Sequence, residues 1–148
     1  MMHYAVIRNT LKLIVLLIGL SSLSHAKTLE DTSKINKVSD FFMSQILAGE
    51  VSSAFSLISA YLGVDAASFE ERGKKAELNL SQLNASLGKP LSYDLLEKKA
   101  VGKHFYKIVY LLKYDSAALV WELNYYQPSN GWKLVDVSFN TDINALFK

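Results

Sequence analysis

From Ser33 onward the apolar positions recur at spacings of three and four: Ile35, Val38, Phe41, Phe42 and Ile46 fall on one face of a helix that Gly49 stops. A second stripe follows almost at once, with Val51, Ala54, Phe55, Ile58, Tyr61 and Leu62, and Gly63 stands where a left-handed terminating residue is wanted. These two helices are expected to form a tight hairpin. A third opens near Asp65, where Ser68 and Glu71 have capping-box spacing, and its stripe runs through Phe69, Ala76, Leu80, Leu83 and Leu87 until Gly88 and Pro90 end it. The intervening Glu70, Glu71, Arg72, Lys74, Lys75, Glu77 and Gln82 read as its solvated face.

After Pro90 the pattern changes from helical spacing to alternation. Strands are expected around Leu91 to Val101, from His104 to Tyr114, from Ala118 to Gln127 and from Trp132 to Asn140. Asp115-Ser116 supplies one reversal and Pro128-Ser129-Asn130-Gly131 another, the latter carrying the Asn-Gly pair that tight hairpins favour. Asp142 is placed to cap a final turn bearing Ile143, Leu146 and Phe147. Three helices followed by an antiparallel meander of about four strands define an α+β fold, because a doubly wound parallel sheet would alternate the two element types.

Upstream of the first helix, residues 1–26 have the order of a secretory signal peptide: a basic start with Arg8 and Lys12, an apolar run from Leu13 to Leu20, and Ser24-His25-Ala26 before a cut after Ala26. The apolar run is about half of the ~20 residues a membrane-crossing helix needs. The expected product is a periplasmic or secreted domain of residues 27–148, free of the membrane, with a loose polar lead-in from Lys27 to Thr32. Removing 26 of 148 residues leaves 122, one domain of ordinary size. With no cysteine in the chain, that domain is held by its core and not by disulfides.

Charge and composition then exclude chemistries. The chain has 16 Lys and Arg against 14 Asp and Glu, and losing Arg8 and Lys12 makes the balance 14 against 14. Nucleic acid demands a clustered basic face, so it is not an expected partner. His104 is the one histidine beyond residue 26, too few for a histidine-based metal centre, and no metal or cofactor is expected.

A resemblance enters on particular fragments. Phe41-Phe42, Leu47-Ala48-Gly49-Glu50, Ala54-Phe55-Ser56-Leu57 and the Leu87-Gly88 break resemble the opening of the nuclear-transport-factor-2-like superfamily, and Asn130-Gly131-Trp132-Lys133-Leu134-Val135 is similar to the final strand of many exported bacterial members. The resemblance implies a cone-like fold in which a curved sheet wraps the long helix around a cavity, often with dimerisation through the outer sheet face. It implies no activity, since isomerases, dehydratases, hydrolases and domains without chemistry share the fold. This chain departs from the enzymes' patterns: the helix from Ile35 to Leu47 has no tyrosine, and the strands carry no His-Asp pair.

On the strand from His104 to Tyr114, one face holds His104, Tyr106, Ile108, Tyr110, Leu112 and Tyr114, and the other Phe105, Lys107, Val109, Leu111 and Lys113. Both are largely apolar, so either both are covered, with a second copy forming a homodimer through the sheet as the expected cover, or the aromatic residues simply suit a strand and stay partly exposed. Tyr125, Tyr126 and Trp132 add to the aromatic supply suited to an interface. A cavity lined by Tyr106, Tyr110 and Trp121 would instead accept an apolar small molecule. For catalysis the raw material is Glu122 and Asp136, carboxylates within apolar strands, which serve as acid or base when desolvated or as surface charges when paired with Lys107 or Lys133. His104 starts a strand beside Lys103, no Gly-x-Ser-x-Gly turn is present, and the glycosylation sequons at Asn79 and Asn84 fall within a helix. The expectation is a binding or self-association module, with a carboxylate-bearing cavity that binds a small apolar ligand or does chemistry as the alternative.

Overall fold

The computed structural model describes residues 27–147, so the signal-peptide reading of residues 1–26 lies outside the described residues. Helix α1 spans Thr32–Leu47, α2 Val51–Ser59 and α3 Ala66–Leu87. Strands β1 Ser92–Val101, β2 Phe105–Lys113, β3 Ala118–Tyr126 and β4 Lys133–Asn140 follow, and a 3-10 turn from Ile143 to Phe147 is the last described element. The sheet is an antiparallel meander in the order β1-β2-β3-β4. The α+β class and the sequence of elements agree with the periodicity.

Helix ends follow local chemistry. Asp31 caps α1 by accepting from the Lys34 amide at 2.9 Å, and Asp65 caps α3 by accepting from the Ser68 amide at 2.7 Å. The capping box therefore does not start α3; Ser68 and Glu71 lie inside the helix. Gly63 is not a left-handed terminator either, because it is not among the positive-φ glycines. It is small for another reason. Its N–H donates to the Leu134 carbonyl at 2.8 Å, and a side chain there would meet Lys133 Cβ at 3.0 Å. The α2–α3 connection thus runs along β4 and covers part of that sheet edge.

The lead-in is also structured, contrary to the sequence expectation. Leu29 and Trp132 exchange backbone hydrogen bonds of 2.9 and 2.7 Å, and the Leu29 side chain is only 4% exposed.

Register decides which sheet face meets the helices. Ile108, Tyr110 and Leu112 on β2 share a face with Leu119, Trp121, Leu123 and Tyr125 on β3, and these side chains form the core with the helices. A chain of rings links the layers: Phe139 stacks on Trp121 at 4.7 Å, Trp121 meets Phe42 of α1 at 5.6 Å, and Phe42 meets Phe55 of α2 at 5.5 Å. Phe55 continues to Phe69 of α3 at 5.3 Å. Each large side chain buried in this way contributes about 1.5–3 kcal/mol.

The opposite face carries Phe105, Lys107, Val109, Leu111 and Lys113. Tyr110 points to the helices, so Phe105 and Tyr126 are the outward aromatics, their rings 4.9 Å apart. Val109 and Val120 on this outer face are each 4% exposed without a partner molecule. Lys107 and Glu122 flank Val109 in the register, and the C-terminal turn lies against β3. Two bulges, between Leu95 and Glu97 and between Asn124 and Tyr125, interrupt the ladders and bend the strands.

Candidate functional site

The polar groups of the sheet gather on the outer face. Glu122 and Asn124 alternate with core residues on β3, and the bulge places Asp136 opposite Asn124 while Leu134 and Val137 turn inward. Lys107 Nζ donates to Glu122 Oε2 at 2.8 Å, and Asn124 Nδ2 lies 3.4 Å from Asp136 Oδ2. Arg72 of α3 closes the row, donating from one terminal nitrogen to Asp136 Oδ1 at 2.9 Å while its guanidinium stands 5.5 Å from the centre of the Phe69 ring.

Both sequence candidates for chemistry, Glu122 and Asp136, thus lie on one face, each held by a cation. Arg72 corrects the sequence reading: it leaves the solvated face of α3 to meet Asp136 and is half-buried. The pairs are 36% exposed on Lys107 and Glu122 and 40% exposed on Arg72 and Asp136, and pairs so open to water are worth about 1 kcal/mol or less. Each carboxylate gives one oxygen to its cation, Oε2 of Glu122 to Lys107 and Oδ1 of Asp136 to Arg72, and so ties two elements together.

The three aromatic candidates are placed differently. Trp121 and Tyr110 are packed into the core, Trp121 against Phe42 and Phe139 and Tyr110 against Tyr93. Tyr106 is half-buried, meets Trp132 edge-on at 6.1 Å, and directs its hydroxyl to Asn36 Oδ1 at 3.4 Å. Trp121 Nε1 is buried and makes no hydrogen bond among the described residues. His104 Nδ1 lies 2.9 Å from the Gln127 carbonyl at the exposed hairpin end, away from Glu122 and Asp136 in the register.

Two arrangements were not anticipated. Ser39 of α1 and Tyr125 of β3 share a buried hydrogen bond of 2.8 Å. The available signal was Ser39 itself, a polar residue in the stripe Ile35, Ser39, Phe42, Met43, Ile46. Burial raises the Tyr125 phenol well above its ordinary range, opposed in part by the Ser39 bond. The other is a cleft of about 290 Å³ between α3, the α1–α2 junction and the end of β2. Glu77, Ser81 and Asn84 of α3 line it, and their spacing of four and three places them on one helical face.

Among the described residues no helix is long and apolar enough to cross a membrane. No protein-family model matches the chain, and no curated protein matches it. The crystal structure of a DUF4783 family protein from Bacteroides ovatus superposes with a TM-score of 0.40 at 10% identity, covering 66% of this chain and 91% of that one.

Proposed function

We propose that the protein is an exported binding module that pairs with a second copy of itself through the outer face of its sheet, at the end that the C-terminal turn leaves open. The observation that carries this reading is the cluster of Val101, Phe105 and Tyr126, brought side by side by the register at one end of that face, with Phe105 50% exposed. A copy of the same chain suits the charges. Lys99 and Lys107 share the face with Glu97, Glu122 and Asp136, so a two-fold rotation can set opposite signs against each other. Edge-to-edge pairing is disfavoured, because β1 carries a bulge and two lysines, Lys98 and Lys99, and part of the β4 edge is already covered. The order of helices before meander and the two strand-bending bulges support a cone-like, nuclear-transport-factor-2-like arrangement as the frame for this interface.

Native mass spectrometry of protein purified from its own host tests both halves of the proposal. The expected species is a dimer of subunits beginning at Lys27. Phe105→Glu should give a soluble monomer with an unchanged far-ultraviolet spectrum. A monomer of the unmodified protein across the micromolar range overturns self-association, and subunits retaining residues 1–26 overturn export.

A further inference from the structure

The cleft beside α3 is separate from the outer sheet face, and its lining is selective in a way that face is not. Glu77 is the one charged residue among its described lining residues. Glu77 Oε2 accepts from Ser52 Oγ at 2.8 Å, a bond that ties α3 to the first turn of α2 and holds the carboxylate at the rim. Its second oxygen makes no hydrogen bond among the described residues. Deeper in, Tyr114 donates its hydroxyl to Asn84 Oδ1 at 2.7 Å. That bond fixes the amide, leaving its Nδ2 as a donor and the phenol oxygen as an acceptor. Ser81 adds a hydroxyl between Glu77 and Asn84.

The floor is apolar, made by Ile46, Val51, Leu80 and Leu112. The volume of about 290 Å³ is at the lower end of the range for small-molecule sites, so the occupant is small. The Glu77 charge and the Ser81 and Tyr114 oxygens outweigh the Asn84 amide donor over this apolar floor and disfavour carboxylates and phosphates, which would meet Glu77 with no lysine or arginine among the described lining residues to offset it. They favour a positively charged donor attached to a short hydrocarbon or aromatic body. We infer that this cleft binds a small organic cation, with Glu77 as the counter-ion, the Ser81 and Tyr114 oxygens as further acceptors, and the body of the molecule on Leu80 and Leu112.

The test is an amide-shift titration by nuclear magnetic resonance of the purified protein with three probes of one shape: phenethylamine, 2-phenylethanol and phenylacetate. The amine is expected to give saturable shifts at Ser81, Asn84 and Tyr114 and to bind roughly three- to tenfold tighter than the alcohol, the range for a partly exposed charge-assisted hydrogen bond. Phenylacetate should bind more weakly than either. Glu77→Gln should abolish the preference for amine over alcohol while leaving the alcohol's affinity in place, and Glu71→Gln, elsewhere on α3, should keep the preference. Equal binding of amine and alcohol, a preference that survives Glu77→Gln, or no saturable shift at millimolar amine overturns the assignment. None of these outcomes depends on whether the protein is a dimer.

Discussion

Ser39 and Tyr125 offer the sharpest test of how the helices are fixed to the sheet. Both side chains are 0% exposed and their hydroxyls are 2.8 Å apart, in a region otherwise made of rings and aliphatic groups. Ser39→Ala leaves the Tyr125 hydroxyl buried without its partner, and an orphaned polar group costs about 1–3 kcal/mol. Tyr125→Phe is expected to cost less, about 1 kcal/mol, because a serine within a helix can turn its hydroxyl back to the carbonyl four residues earlier. The double variant replaces two matched polar groups by apolar ones of nearly the same shape. Its cost should fall below the sum of the two by about 1–2 kcal/mol. Urea unfolding followed by tryptophan fluorescence and circular dichroism measures each, with a constant m-value as the check that only stability has changed. Against a total of about 5–15 kcal/mol such differences are readily resolved. If the double variant loses as much as the two singles together, the hydroxyls do not depend on each other and the reasoning fails.

Alkaline pH probes the same burial. Desolvation raises the Tyr110 and Tyr125 phenols in the folded protein, so the unfolded chain releases its protons first, near the ordinary value of about 10. Stability is therefore fully present below that pH and falls above it, each tyrosine steepening the decline toward about 1.4 kcal/mol per pH unit. Unfolding curves at stepped pH should show this, with a shallower decline for Tyr125→Phe, and a flat profile through pH 11 would contradict it. Leu29→Ala is expected to cost about 2–3 kcal/mol in urea unfolding, since it empties a buried core site where the lead-in pairs with Trp132; a cost near zero would mean that the lead-in is dispensable. Asp136→Asn should cost about 1 kcal/mol or less and the difference should shrink in high salt, whereas a loss above about 2 kcal/mol would show the Arg72 pair to be far more important than its exposure allows.

Much of this architecture is legible in the chain because apolar spacing depends on local geometry alone. The stripes of α1 and α3 and the alternation of β2 and β3 identify those elements within a few residues. What the spacing does not carry is which neighbour each element meets. Gly63 reads as a helix terminator because glycine is common there, yet the structure uses its missing side chain for the approach of the α2–α3 connection to β4. Arg72 reads as solvated, although it lies three residues from Phe69 at the border of the buried stripe, where a long side chain can reach sideways to the sheet. The cleft-facing Glu77, Ser81 and Asn84 were hidden likewise among polar residues on the flank of the Leu80 stripe. The two faces of β2 could be listed from sequence but not assigned, although the set containing Lys107 and Lys113 is the one that faces outward.

The outer carboxylates gain their meaning from that assignment. In a strand the side-chain period is two, so a slip of one residue between β2 and β3 would carry Glu122 into the core and Trp121 into solvent. Lys107 and Glu122, bonded across the strands, oppose such a slip at a point where both faces offer apolar residues and hydrophobicity alone would discriminate poorly. Between β3 and β4 the requirement is different. Leu134 and Val137 both turn inward with Val135 and Asp136 between them, which strict alternation forbids, and the bulge beside Asn124 supplies the extra residue. Asp136 then stands outward beside Asn124, within reach of Arg72, and the pair ties α3 to the strand whose register the bulge has shifted. Weak as each pair is in free energy, its position explains why charged residues occur in the middle of apolar strands without requiring either to act on a substrate.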